Sequence, residues 1–237
     1  MSHFKGLQFT LEQEEGFMKK YIVFFKKKGY LIYISSLDTV QVITRALRRA
    51  NIPFSQTEGF SPHPKLSFAP SLSLGFASNS EFFEIELREP WPKEKLKENL
   101  NKELPYHLKV TKIRDDIHKV FSDLSAHSFS VLIKKENKIN LKEKIYSIIE
   151  DGNLKITKIN KKGKKIIYEL KDYLLNVDVI ENRECLLMDV LLNIKNGKSL
   201  NPKDIIDLLK NQGLALSLLR IKRTGFFIKK GKELIKI

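Results

Sequence analysis

Residues 57–78, TEGFSPHPKLSFAPSLSLGFAS, restrict this chain more than any other stretch. Pro62 and Pro64 each fix their own φ at about −65° and push Ser61 and His63 towards extended geometry. Gly59 and Gly75 can supply positive φ at either end. His63 is therefore expected on a stiff, extended backbone with Lys65 two residues on, and Phe60 and Phe68 are expected to anchor the flanks in a core. A stiff loop carrying polar groups is how folds usually present function, and it is also how a buried crossover is built.

The segments around it alternate between strand and helix patterns. Residues 20–34, KYIVFFKKKGYLIYI, read as a hairpin-like pair or one bent strand broken at Lys28-Gly29. Ser35 and Ser36 offer an N-cap, and Leu37, Val40, Ile43, Thr44 and Leu47 recur at helical spacing, which predicts a helix over 37–50. Gln41, Arg45, Arg48 and Arg49 fall on or near its other face. Arginines so close together give planar donors suited to phosphate, although a solvated helix face carries the same pattern. Residues 81–87 read as a strand with Glu84 and Glu86 on one wet face, 93–104 as a helix and 107–114 as a strand. The order strand, helix, strand, strand, helix, strand is that of a split βαβ unit.

The second half repeats the plan more faintly. It reads as a strand at 128–135, a helix at 140–150, a basic hairpin over 154–171, a strand at 185–194, a helix from Asn201-Pro202 to near Gly213, and a closing strand. The expected fold is α+β: two tandem ferredoxin-like domains with antiparallel sheets, one over 18–118 and a more basic one over 125–237, with a groove between them. Residues 1–17 are acidic and weakly patterned, which is expected either if Met18 is the native start or if 1–17 is a loose N-terminal extension without fixed structure.

Charge narrows the partner. The net charge is +15, carried as +6 over 18–118 and +11 over 119–237. An excess spread over both halves points to a polyanion, above all nucleic acid, although a lysine-rich codon bias yields the same composition. No apolar run reaches the ~18–20 residues of a membrane span, and residues 1–17 lack the pattern of a secretory signal. The single cysteine, Cys185, excludes an intrachain disulfide framework, and the cytoplasm is the expected location. No phosphate-cradling glycine loop, GxSxG, HExxH or CxxxCxxC occurs, and His3, His63, His107, His118 and His127 show no metal-ligand spacing, so no metal or cofactor is expected.

The segments GYLIYISSLD (29–38) and RALRRANIPFSQTEGFSPHPKLSFAPSLSLG (45–75), with Ser78 and Glu81, resemble the radical SAM-associated protein family. This domain of unknown function is found alone or fused C-terminally to cobalamin-binding radical SAM proteins. In the second half Arg223-Thr224-Gly225 is the best match. The family usually reads Ser-His-Leu-Asp where this chain has Ser35-Ser36-Leu37-Asp38, which weighs against catalysis by that histidine's position. The resemblance implies an accessory role beside a radical SAM partner, in RNA modification.

Three functions fit these residues. In the first, the protein binds RNA: Arg45, Arg48, Arg49, Lys65, Lys161, Lys162, Lys164, Lys165 and Arg223 contact phosphates while Phe60 and His63 stack on a base. In the second, it is a metal-independent endoribonuclease with His63 as general base and Lys65 or Arg49 stabilising the phosphorane. In the third, the 57–78 loop is a protein-interaction surface anchored by Phe60 and Phe68. A pseudouridine synthase fits less well, because no aspartate follows an Arg-Thr pair.

Overall fold

The computed structural model describes residues 18–116, 119–136, 140–159 and 163–237, so the expected extension at 1–17 lies outside them. In the first half, β1 (Lys19–Lys27) is followed by a 3-10 turn (Gly29–Tyr33), α1 (Ser36–Arg49), a short β2 (Leu66–Phe68), β3 (Ala77–Leu87), α2 (Lys93–Glu103) and β4 (Leu108–Arg114). One helical turn, α3 (Val120–Asp123), leads into β5 (Leu124–Lys135) and α4 (Leu141–Glu150). Then come the hairpin strands β6 (Lys155–Ile159) and β7 (Lys165–Glu169), and another single turn, α5 (Leu170–Tyr173). The chain continues through β8 (Leu174–Glu181), β9 (Cys185–Asn193), α6 (Pro202–Asn211), β10 (Leu216–Lys230) and β11 (Glu233–Lys236).

The fold is mixed α+β, built on one large, mostly antiparallel sheet in the order β4-β1-β3-β10-β5-β9-β8, with β2 and β11 added on β3 and β10. The expectation of two separate sheets is thereby corrected. β10 runs parallel to β3 where Lys222 and Arg223 face Ala77 and Ser78, and this short seam makes the sheet continuous. Along β3, β10 takes the edge near Ala77, while β2 takes the same strand further on, at Phe83–Ile85. Among the described residues, only the β6–β7 hairpin stands apart as its own two-stranded sheet.

The run YIVFF in β1 is continuous rather than alternating because both faces of the strand are covered. Tyr21, Val23 and Phe25 pack under α1 and α2 with Ile43, Leu47, Leu96 and Leu100. Ile22 and Phe24 point the other way, into a small cluster with Phe82, Val120, Phe226 and Ile228. That second cluster draws on both halves, with Phe82 and Phe226 edge to face at 5.1 Å. A third cluster, including Ile145, Met188 and Ile205, fills the second half between the sheet, α4 and α6.

Residues 29–33 do not continue the strand. Gly29 takes φ of 57°, the Lys28 N–H donates to the His107 carbonyl at 3.0 Å, and Leu31 alone turns inward while Tyr30 and Tyr33 stay exposed. A side chain at position 29 would meet the His107 ring at 2.6 Å, so this turn requires glycine. Helix α1 forms as predicted: Ser35 caps it, and Ser35 and Asp38 complete a reciprocal capping box.

Candidate nucleic-acid interface

The proline-rich stretch builds an arm on the edge of β3. Ser55 N–H donates to the Glu86 carbonyl and Arg88 N–H to that of Pro53, fixing the outgoing limb to the end of β3. The limbs then pair with each other through Lys65 N–H to the Ser55 carbonyl at 2.9 Å and Thr57 N–H to the His63 carbonyl at 2.9 Å. Gly59 turns the tip with φ of 123°.

Phe60 sits at that tip fully exposed, so it is not the core anchor expected of it; the sequence supplies no apolar neighbour to receive it there. Phe68 does turn inward and stacks on Phe83 at 5.2 Å. The exposed His63 ring bonds through Nδ1 to the Ser61 carbonyl at 2.6 Å. A carbonyl only accepts, so Nδ1 carries a proton, and in the neutral form of the ring Nε2 keeps the lone pair. Lys65 reaches Glu86 at 3.5 Å.

The arginines of α1 divide. Arg45 and Arg48 are exposed. Arg49 is occupied: Nε donates to the Glu103 carboxylate at 2.9 Å and Nη2 to the Glu103 carbonyl at 2.7 Å. Lys164 and Lys165 lie on the hairpin of the second half, whose β6 strand is tied to α6 by Lys158 and Asp204. Lys161 and Lys162 fall outside the described residues. The described basic candidates thus lie on α1 and the arm in the first half and on the β6–β7 hairpin in the second.

Arg223 is not a surface contact. It is 2% exposed, and its Nη1 lies 2.9 Å from both oxygens of Glu81. Nη1 also donates to the Pro70 carbonyl at 3.0 Å, and Nη2 to that of Ser71 at 3.1 Å. The guanidinium rests over Phe226 at 4.7 Å and Phe129 at 5.3 Å. It thus clamps the Ala-Pro-Ser-Leu segment of the motif onto the sheet. Glu81 stands in the motif, but its buried partner is what sequence reasoning missed: Glu84 and Glu86 of the same strand pair with Lys20 and Lys65 on the wet face, whereas Glu81 alternates onto the inward face.

Two more buried polar groups flank the pair. Lys27 is 2% exposed and donates to the Ile34 carbonyl at 2.9 Å. Burial lowers its pKa, against the opposing pull of Glu81 and Asp38. His127, 5% exposed, meets Ser199 Oγ through Nε2 at 2.8 Å, and Ser199 gives its own proton to the Asn193 carbonyl at 2.7 Å. His127 must then carry its proton on Nε2. Burial, with the nearby Arg223 charge second, pushes its pKa down to about 3. Among the described residues no group of three His, Cys, Asp or Glu side chains is placed to hold a metal ion, and no helix is long and apolar enough to cross a membrane.

Residues 20–202 match the family described as an uncharacterized protein conserved in bacteria (DUF2344). The chain belongs to this family. The DUF2344 match takes in β1 through β9, the arm and Glu81, and stops at the start of α6, before Arg223. A search of curated proteins gave no match. Among solved structures, the chain is similar to one chain of a Cbf5–Nop10–Gar1 complex, with a TM-score of 0.51 and 12% identity over 87% of this chain and 48% of that one. A chain of an H/ACA RNP bound to a substrate RNA containing 2′-deoxyuridine gives 0.47 and 13%, over 86% and 46%. This protein spans about half the length of these two chains, and at 12% identity the likeness to the first is one of fold alone.

Proposed function

We propose that this protein is an RNA-binding accessory factor, cytoplasmic and working beside a radical SAM enzyme in RNA modification. The observation that carries the reading is Phe60: a phenylalanine fully exposed at the tip of a hydrogen-bonded arm, with an exposed histidine three residues away. An aromatic ring held out into water on an ordered backbone is suited to stacking on an unpaired base. Arg45 and Arg48, on the exposed face of the helix that leads into the arm, supply phosphate contacts, and the net charge of +15 supplies long-range attraction. We read each half as a ferredoxin-like unit. β4-β1-β3 with β2, and β10-β5-β9-β8, follow the same order once the β6–β7 hairpin is treated as an insertion.

Binding of structured and single-stranded RNA, followed by fluorescence anisotropy across a salt series, tests this. Arg45→Ala/Arg48→Ala is expected to weaken binding and to flatten the slope of log K against log salt by about 1.4, two contacts at ~0.7 each on a single strand. Wild-type protein with no RNA affinity at moderate salt would remove the reading. Co-purification with a radical SAM protein encoded in the same genome tests the accessory role.

The lone pair on His63 Nε2 favours a second reading, in which this nitrogen takes a proton from a ribose hydroxyl and the protein cleaves RNA. RNA left intact after long incubation with wild-type protein would dispose of it.

A further inference from the structure

The sheet of the second half is packed on one side. Val131, Val179, Met188 and Val190 point to that side, into the cluster under α4 and α6. Pairing of β10, β5, β9 and β8 sets the alternate residues in rows on the other side. One row runs Arg220, Leu132, Leu187, Ile180, and the next Lys222, Ser130, Asp189, Asp178. This side is open to solvent: Ile180 is 60% exposed, and Arg220, Asp178 and Asp189 are exposed with it. Leu132 and Leu187 are half-buried and belong to none of the described core clusters. Charge is divided across the face. The cations stand on β10, while Asp189 and Asp178 stand directly opposite each other on β9 and β8, a like-charge pair that costs stability within one chain. Among the described residues none of these four charges has an ion-pair partner.

We propose that this face binds a second copy of the chain, sheet against sheet, about a two-fold axis that runs along the strands midway between β5 and β9. That rotation reverses the strand order across the interface, so β10 of each copy lies over β8 of the other and β5 over β9. Lys222 of each copy then faces Asp178 of the other, and Arg220 reaches the same carboxylate on the diagonal while its stem packs on Ile180. Leu132 meets Leu187, and the Ser130 hydroxyl donates to Asp189. A two-fold axis across the strands would instead stack β10 on β10 and bring the cations together. The complementarity belongs to the face itself, which is what a closed dimer requires. A nucleic acid fits it poorly, because two carboxylates meet the phosphates and neither row carries an aromatic ring for a base to stack on.

The test is sedimentation equilibrium of the full chain over ~1–300 μM, the range in which transient interfaces dissociate. Wild type is expected to pass from monomer to dimer mass across it, and added salt to move that change to higher concentration. Asp178→Lys/Asp189→Lys and Arg220→Glu/Lys222→Glu should each weaken self-association by at least ~tenfold, since like charges then face each other. Mixed together, the two variants should associate, because the mixed pair restores opposite charge at both ends of the face. Leu187→Asp, near the centre, should leave only monomer. Circular dichroism checks that each variant keeps its fold, as substitutions on an open face should. Wild type that stays monomeric throughout, or a dimer that survives both charge reversals, would overturn the proposal. So would a monomeric wild type whose Leu187→Asp variant alone loses a co-purifying radical SAM protein, since the face would then belong to that partner. The measurement contains no nucleic acid, so its outcome is separate from that of the RNA-binding reading.

Discussion

At the scale of single residues, the Glu81–Arg223 pair shows where sequence reading stops. Alternation in EFFEIEL sets Glu81 on the face of Phe83, Ile85 and Leu87, away from Glu84 and Glu86, but nothing there names the cation that balances it, which stands 142 residues away and meets it only through the seam of the sheet. The lone cation in Arg-Thr-Gly likewise reads as surface until burial is known. Arg223→Ala, or Glu81→Ala, should cost ~3–5 kcal/mol by leaving a buried charge uncompensated. The double change Arg223→Met/Glu81→Leu should cost clearly less than the sum, as read from urea unfolding. His127 supplies a second prediction. Its folded pKa of about 3 lies below the ordinary 6.5, so the unfolded chain binds the proton first as pH falls. Its contribution is complete above pH ~6.5 and is lost at up to ~1.4 kcal/mol per unit between there and pH ~3. The difference between wild type and His127→Phe in urea midpoints at pH 7 and 4.5 isolates this term.

At the scale of elements, the helices were legible and the turns less so. α1 announces itself through Ser35, its apolar spacing and its basic last turn, and the structure keeps all three. β8 had no counterpart in the sequence reading: as an edge strand it leaves Leu175 and Ile180 exposed and interleaves Asn176 and Asp178, which blurs the alternation. The 3-10 turn at 29–33 was hidden because Tyr-Leu-Ile-Tyr-Ile has strong strand propensity, overridden here by Gly29 and its contact with His107. Gly29→Ala should therefore destabilise by more than ~1 kcal/mol, from the left-handed φ and the clash together. The arm was legible as a stiff presentation device, but not the direction in which Phe60 points. Phe60→Ala should change stability by less than ~0.5 kcal/mol while lowering RNA affinity, a dissociation that a core residue cannot show.

At the scale of the molecule, most of the strand and helix order could be read in advance, β8 excepted, whereas the union of the two halves in one sheet could not. A parallel contact of two residues on each side leaves no periodic trace in sequence. The shared cluster of Phe24, Phe82, Val120, Phe226 and Ile228 makes the halves interdependent. Unfolding should be a single transition, with fluorescence of Trp91 in the first half coinciding with hydrogen exchange of β9 in the second; two separated midpoints would show independent domains. The seam also imposes an order in time. Glu81 leaves the ribosome 142 residues before the arginine that neutralises it, an interval of roughly 7–30 s at ~5–20 residues per second. Through that interval the nascent first half either holds its carboxylate in water with β3 unfinished, or depends on a chaperone to shield the apolar strand. Translation speed across β5 to β9 therefore bears on the yield of folded protein, and slow codons there prolong its most aggregation-prone state.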